Sequence, residues 1–392
     1  MRKIKPGEIV IGEEERKAIL EVLDSGWISE GPKVREFERR WAKFIGTKHS
    51  ILVNSGTSAL IAGLDALKIK YNIPEGKKVI TTPVTYIATS NAIVKTGLEP
   101  VYCDVDRQKF TIQTEGIEAL LEKNPDEYCG ILPVHLMGYA CDMDKINEIA
   151  RKYQLFVFED AAQAHGTKYK GKMLGSLGEI SDFSFYIAHN IQVGELGAVN
   201  TNDPELIRLV RKIKANGRLC DCTQCTRSKG TCPKRDEDYD PRFTHDIIGY
   251  NFKTTEFQAA LALAQMGRID DIIKKRNEHV KYLNDNLQKY SELQLPVYDP
   301  DVSYLAYPLI AYDRMRIRHD LEKEGIETRT LFGCIPTQQP AYSKYAMQYK
   351  GKLPNAEHIG TNGFYIGCHQ YLEEEDLEYI VQTFAKIFGD KK

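Results

Sequence analysis

Between Ser50 and Thr201 short apolar runs alternate with stretches of helical period, and that alternation leaves few folds open. Seven runs have strand length: Ser50–Val53, Lys78–Thr82, Pro100–Val105, Gly130–His135, Leu155–Glu159, Asp182–Ala188 and Ala198–Thr201. Strand followed by helix, repeated over about 150 residues, predicts an α/β protein with a largely parallel sheet covered on both faces. Sites in such sheets lie at the carboxyl ends of the strands. Upstream, residues 12–45 carry helical spacing, broken by a loop at Trp27–Pro32 and resumed as an amphipathic helix through Phe44. Downstream, a long polar helix begins near residue 265. Strand signals follow at Tyr304–Ala311, helical signals at Met315–Glu324 and an amphipathic helix at Glu373–Ile387. The expected organisation is a large domain over residues 1–262, with a cysteine-rich insertion at 216–240, and a smaller α+β domain over 263–392.

Charge excludes some partners. With 53 Lys and Arg against 55 Asp and Glu, the chain has no excess that would draw it to nucleic acid or to a membrane surface. No apolar run approaches the ~18 residues of a spanning helix, and Met1 to Glu8 has no apolar core of a signal peptide, so a cytoplasmic protein is expected. Nine cysteines, an odd number, argue against a disulfide framework in such a chain. Five of them (Cys103, Cys129, Cys141, Cys334, Cys368) are scattered, whereas Cys220, Cys222, Cys225 and Cys232 fall within 13 residues. Four thiolates at that spacing suit a tetrahedral zinc or a pair of bridged irons, and spacing alone leaves both open.

Three groups of residues fall at strand ends. Asn54-Ser55-Gly56-Thr57-Ser58 joins a strand to a helix, and small residues there let backbone N–H groups approach a phosphate at the positive end of the helix dipole. Glu159-Asp160 closes an apolar strand, where a carboxylate is costly to bury unpaired. The apolar approach Asp182–Ala188, a polar turn and the run from Ala198 predict two neighbouring strands joined by a short loop with His189 at its tip.

Ser184-Phe185, three further residues, His189 and then Glu195 resemble the active-site segment of the DegT/DnrJ/EryC1/StrS sugar aminotransferases, with histidine where that family has its lysine. No lysine occurs between Lys172 and Lys212, so no shift of register restores one. Leu196 stands where the family usually has glycine. The resemblance extends over almost the whole chain: Gly26-Trp27-Ile28-Ser29-Glu30-Gly31-Pro32, Glu159-Asp160-Ala161-Ala162-Gln163-Ala164-His165-Gly166, the run Gly249-Tyr250-Asn251 to Gln258-Ala259-Ala260, and Glu327–Phe332.

The resemblance implies the aspartate-aminotransferase (type I) fold and a pyridoxal or pyridoxamine 5'-phosphate cofactor. It implies that Ser55, Gly56, Thr57 and Ser184 hold the phosphate, Tyr86 stacks on the ring, Asp160 pairs with the ring nitrogen and Gln163 meets the ring hydroxyl. Asn251 would reach the phosphate in the other subunit of a homodimer. His135 and His165 are read as structural. Within the family, histidine for lysine is similar to the 3-dehydratases of nucleotide-linked 4-keto-6-deoxyhexoses, in which His189 would be the base.

One branch of these, the CDP-4-keto-6-deoxyglucose 3-dehydrases, carries a [2Fe–2S] cluster in the cysteine segment and takes electrons from a separate flavin-dependent reductase. Cys220, Cys222 and Cys232 match its ligands; Ala162 occupies the position of the fourth, and Cys225 is the substitute. The other readings are a cluster-free 3-dehydratase that regenerates pyridoxamine phosphate with glutamate and carries a structural zinc, and a non-catalytic relative.

Overall fold

The computed structural model describes residues 3–222, 226–234 and 238–389. Seven strands form the main sheet: β1 (His49–Val53), β2 (Lys78–Thr81), β3 (Glu99–Tyr102), β4 (Tyr128–Leu132), β5 (Phe156–Asp160), β8 (Ile180–Ser184) and β9 (Gly197–Thr201). A small hairpin, β6 (Lys168–Tyr169) with β7 (Lys172–Met173), lies between β5 and β8 in the chain. The sheet order is β1-β9-β8-β5-β4-β2-β3. All neighbouring pairs from β8 to β3 are parallel, and β9 runs antiparallel to both β8 and β1. The largely parallel sheet expected from the sequence is present. The short loop expected before β9 is not: 12 residues, 185–196, separate the two strands, and Tyr186 to Ala188 lie outside any strand.

Each of these strands is apolar because both faces are covered. On one face lie α3 (Gly56–Tyr71) and α4 (Ala88–Lys95). Gly63 of α3 is glycine for a steric reason: a Cβ there would come within 2.6 Å of Phe158 and 3.4 Å of Ile180. The opposite side takes α2 (Pro32–Ile45), which follows α1 (Glu13–Ser25). Trp41 of α2 is fully buried among Phe37, Phe44, His165, Phe183 and Phe185, with ring centroids 4.9–5.9 Å away. Its indole N–H has no hydrogen-bond partner among the described residues. The missing bond costs about 1–3 kcal/mol, whereas burying 150–250 Å² of an aromatic at ~25 cal/mol per Å² contributes about 4–6 kcal/mol, so packing wins.

A second, antiparallel sheet, β10 (Tyr307–Ile310), β12 (Gly363–Ile366) and β11 (Arg329–Thr330), is built from the C-terminal third. The helix Ile269–Leu287 leads to it. The division expected at 262/263 falls inside the helix Glu256–Met266. Arg276 fixes the long helix to this region. Fully buried, it donates to the carbonyls of Tyr304 (3.2 Å) and Leu305 (2.7 Å) and to Gln370 Oε1 (3.1 Å). Among the described residues no helix is long and apolar enough to cross a membrane.

Candidate active site

Ser55, Gly56, Asp160 and Ser184 come together at the carboxyl end of the sheet. Ser55 caps α3: its Oγ accepts from the N–H of Ser58 at 3.1 Å. Gly56 faces Ser184 so closely that a Cβ would stand 2.7 Å from the Ser184 Cβ and 3.1 Å from its Oγ. Gly197 of β9 packs as tightly under the same loop, 2.2 Å from the Ser55 carbonyl oxygen by the same measure. These glycines make a backbone cradle at a helix N-terminus, the geometry that suits a phosphate. Thr57 is exposed at its rim.

Asp160 ends β5 and is 4% exposed. Its Oδ2 accepts from Thr89 Oγ1 at 2.7 Å and its Oδ1 from the N–H of Ala162 at 3.3 Å. Burial pushes its carboxyl above the ordinary range, while those two bonds and His135 act in the other direction. A cation beside it would therefore be stabilised. Glu159, one residue earlier, points to the opposite face. It accepts from the N–H groups of Gly175 (2.8 Å), Leu177 (2.7 Å) and Gly178 (2.5 Å) and from His135 Nε2 (3.1 Å). Because Cys141 N–H donates to His135 Nδ1 at 3.2 Å, that nitrogen carries no proton and Nε2–H is the donor. His135 is thus structural, locking the strand end that presents Asp160.

Gln163 accepts from the N–H of Met137 at 2.9 Å, which orients its amide NH2 away from that contact. Tyr86 is 61% exposed at the mouth, and Phe332 meets its ring edge-on at 5.9 Å and 61°. Two contributors carry little signal in the sequence. Thr89, in the first turn of α4, is marked only by a hydroxyl one turn after Tyr86. The place of Phe332 depends on the second sheet and has no local signal.

His189 lies in the 185–196 connection with 9% of its surface exposed. Its N–H donates to the Tyr186 carbonyl at 2.9 Å, and its ring stacks on His165 at 5.8 Å and 21°. Nδ1 has no hydrogen-bond partner among the described residues. Burial, reinforced by the positive charge of Arg276, lowers its pKa to about 4, against a weaker opposing effect of the Tyr186 backbone. The imidazole is therefore neutral at physiological pH, with a nitrogen free to take a proton. His165 is wholly buried; its Nδ1 accepts from the N–H of Ile191 at 3.4 Å, tying down the same connection.

Asn251 is exposed and has no hydrogen bond to the cradle among the described residues; its place is a bridge with Ala215. Cys220 and Cys232 are half-buried and Cys222 exposed, while Cys225 lies outside the described residues. Partial burial raises the Cys222 thiol, followed by its hydrogen bond with Cys220 and the charges of Cys220, Asp221 and Cys232, so the three sulfurs share one neighbourhood. Among the described residues no three His, Cys, Asp or Glu side chains are arranged to hold a metal ion.

Residues 10–385 match the DegT/DnrJ/EryC1/StrS aminotransferase family. The chain belongs to that family. Its members are sugar-modifying enzymes of deoxysugar biosynthesis that depend on pyridoxal phosphate, and the fold is that of the type I pyridoxal-phosphate aminotransferases. The chain is 34% identical to the GDP-perosamine synthase of Caulobacter vibrioides, over 95% of each sequence. It is 31% identical to the dTDP-4-dehydro-2,6-dideoxy-D-glucose 3-dehydratase of Saccharopolyspora spinosa, over 98% of this chain and 86% of that one. The Escherichia coli GDP-4-keto-6-deoxy-D-mannose-3-dehydratase with bound hydrated PLP superposes with a TM-score of 0.85 at 25% identity, covering 98% of this chain and 99% of that one. The family thus includes both a synthase and dehydratases among these relatives. The tight Gly56–Ser184 cradle and the buried Asp160 carboxyl fit the cofactor's phosphate and its cationic ring nitrogen.

Proposed function

We propose that this chain is a 3-dehydratase of a nucleotide-linked 4-keto-6-deoxyhexose working with pyridoxamine phosphate. The observation that carries the reading is His189: a buried, neutral imidazole with an unpartnered nitrogen where an aminotransferase of the family has lysine. Histidine cannot form the covalent link to the cofactor that lysine forms in transamination. It can remove and return a proton.

When bound, the cofactor supplies an electron sink. Ser55, Gly56, Thr57 and Ser184 would anchor its phosphate, with Asn251 of a second copy completing the cradle in a homodimer. Tyr86, braced by Phe332, would cover the ring face. Asp160 would hold the ring nitrogen in its protonated form and Gln163 would donate to the ring hydroxyl. His189 would take the proton from the carbon that bears the cofactor's amine, and the electron pair released expels the C3 hydroxyl. In this division residues 1–262 hold the cofactor and 263–392 close over it. Incubation with a 4-keto-6-deoxyhexose nucleotide should release C3 oxygen into water without net amino transfer; a 4-amino sugar as the stable product would overturn the reading.

Cys220, Cys222, Cys225 and Cys232 support a [2Fe–2S] cluster fed by a flavin-dependent reductase, since three of these sulfurs lie together. The second reading, a cluster-free enzyme that uses glutamate, is favoured by the lack of a ready-made metal site among the described residues. Protein purified anaerobically is expected to contain iron and acid-labile sulfide in similar amounts. Stoichiometric zinc without sulfide, together with turnover driven by glutamate alone, would decide for the second reading.

A further inference from the structure

Asp182 has no role in the scheme above and is an unusual residue for its position. It lies in the middle of β8, with no exposed surface, and neither carboxyl oxygen has a hydrogen-bond partner among the described residues. In the parallel pairing of β5 with β8 its Cα partner is Asp160, and the two strand ends are joined by the Ala161 N–H donating to the Asp182 carbonyl at 3.1 Å. Paired residues in register project to the same side of a sheet. That side can be identified: Phe158 and Ile180, two residues before the respective aspartates, both border Gly63 of α3, and Ser184, two residues after Asp182, borders Gly56. Asp160, Asp182 and the phosphate cradle therefore occupy one face, beneath α3.

Two carboxyl groups in such a position cannot both ionise, because neither solvent nor a cation screens them from each other. Which one keeps the proton follows from their bonds. Asp160 accepts from Thr89 and from the Ala162 N–H, both of which favour its charged form, and Asp182 accepts from nothing among the described residues. We propose that Asp182 is the proton-holding half of an acid pair with Asp160. It gives the floor of the cofactor pocket a single negative charge, placed on Asp160, with a neutral acid behind it. Burial and the Asp160 charge both hold the Asp182 carboxyl well above the ordinary range, and no other titratable group acts on it among the described residues. The pair's role in the pocket rests on Asp160 as the partner of the ring nitrogen.

The test uses infrared difference spectroscopy and thermal unfolding, first on protein freed of cofactor and then on the loaded enzyme. Wild-type protein at pH 7 should show the carbonyl stretch of a buried, protonated carboxylic acid, and Asp182→Asn and Asp182→Ser should both lose it. The stability effect has a defined sign. The folded state keeps the proton that the unfolded state releases above the ordinary aspartate value of ~3.9, so wild-type stability falls as pH rises through that window. Asp182→Asn removes this loss. Its unfolding midpoint at pH 8 should be higher than wild type by about 2–4 °C, with the gap closing toward pH 4.

With cofactor bound, the absorbance of the variant should match wild type at pH 7 and diverge only in alkali, where the second ionisation of the pair is available to wild type alone. An unchanged infrared spectrum in both variants, or a lower midpoint for Asp182→Asn at pH 8, would overturn the proposal. These readouts need no sugar, so a failed dehydratase assay and a failed acid pair are distinguishable.

Discussion

His189→Asn is expected to lower the rate of C3 hydroxyl loss by ~10²- to 10⁴-fold, the usual worth of a positioned general base. Cofactor retention should change little. The residues proposed to hold the phosphate and the ring lie on α3, β5 and β8, whereas His189 lies on the connection after β8. Asparagine is polar and of similar reach, but it has no nitrogen that accepts a proton at neutral pH. A single-turnover assay in labelled water, run beside an absorbance measurement of bound cofactor, separates the two effects. Near wild-type loss of the hydroxyl would remove His189 from the mechanism.

The same substitution has a signature in stability. The folded-state pKa of His189 is about 4, below the ordinary histidine value of ~6.5. Between those values the unfolded chain binds a proton that the folded chain refuses. Stability is therefore lost as pH falls through ~6.5 toward the folded value, by about 1.4 kcal/mol for each pH step of one across that interval. Asparagine titrates in neither state, so the variant should be less acid-labile than wild type. His165, held well below the ordinary range by burial and by His189, and His369, lowered to about 4 by burial and Arg276, keep their own contributions. Only part of the acid sensitivity should disappear.

Which parts of this arrangement can be read from the chain depends on how local their causes are. The parallel strands are legible because a strand covered on both faces must be an uninterrupted apolar run, as in Ile51–Val53 or Phe156–Phe158. His189 is legible by contrast, since the residues before it follow a known pattern that it breaks. The clustering of Cys220, Cys222 and Cys232 follows from short spacing. The two-residue strand β11, and β12 with its leading glycine, are too short to carry a period. The 12-residue connection before β9 looks like a short loop in the sequence because Phe185–Ala188 continues the apolar run, although those residues cover the site rather than extend the strand. Asp182 is invisible there as a chemical group: it is 22 residues from Asp160, and only the adjacency of β5 and β8 brings the carboxyls together. Glu256 presents the same difficulty over a longer span.

Glu256→Ala is expected to destabilise the fold by about 3–5 kcal/mol, as removal of one partner of a buried charged network does. Glu256 is 2% exposed, and its carboxylate accepts from the N–H groups of Gly31 (2.8 Å), Lys33 (2.8 Å) and Val34 (2.9 Å). Those are the available donors at the start of α2, because Pro32 at the first helical position has no N–H. A side chain more than 220 residues away thus supplies the cap that Gly31 cannot, and its negative charge sits at the positive end of the helix. Alanine would leave three buried donors unmet, whereas Glu256→Gln keeps one acceptor oxygen and should fall between. Denaturant unfolding gives the order, and a loss below ~1 kcal/mol for alanine would mean that water replaces the carboxylate. The consequence reaches the site. α2 carries Phe37 and Trp41, whose rings pack on Phe185, and Trp41 also packs on His165, on which His189 is stacked. Loosening the helix start should therefore lower turnover in Glu256→Ala more than in Glu256→Gln, while the pH dependence set by His189 stays in place.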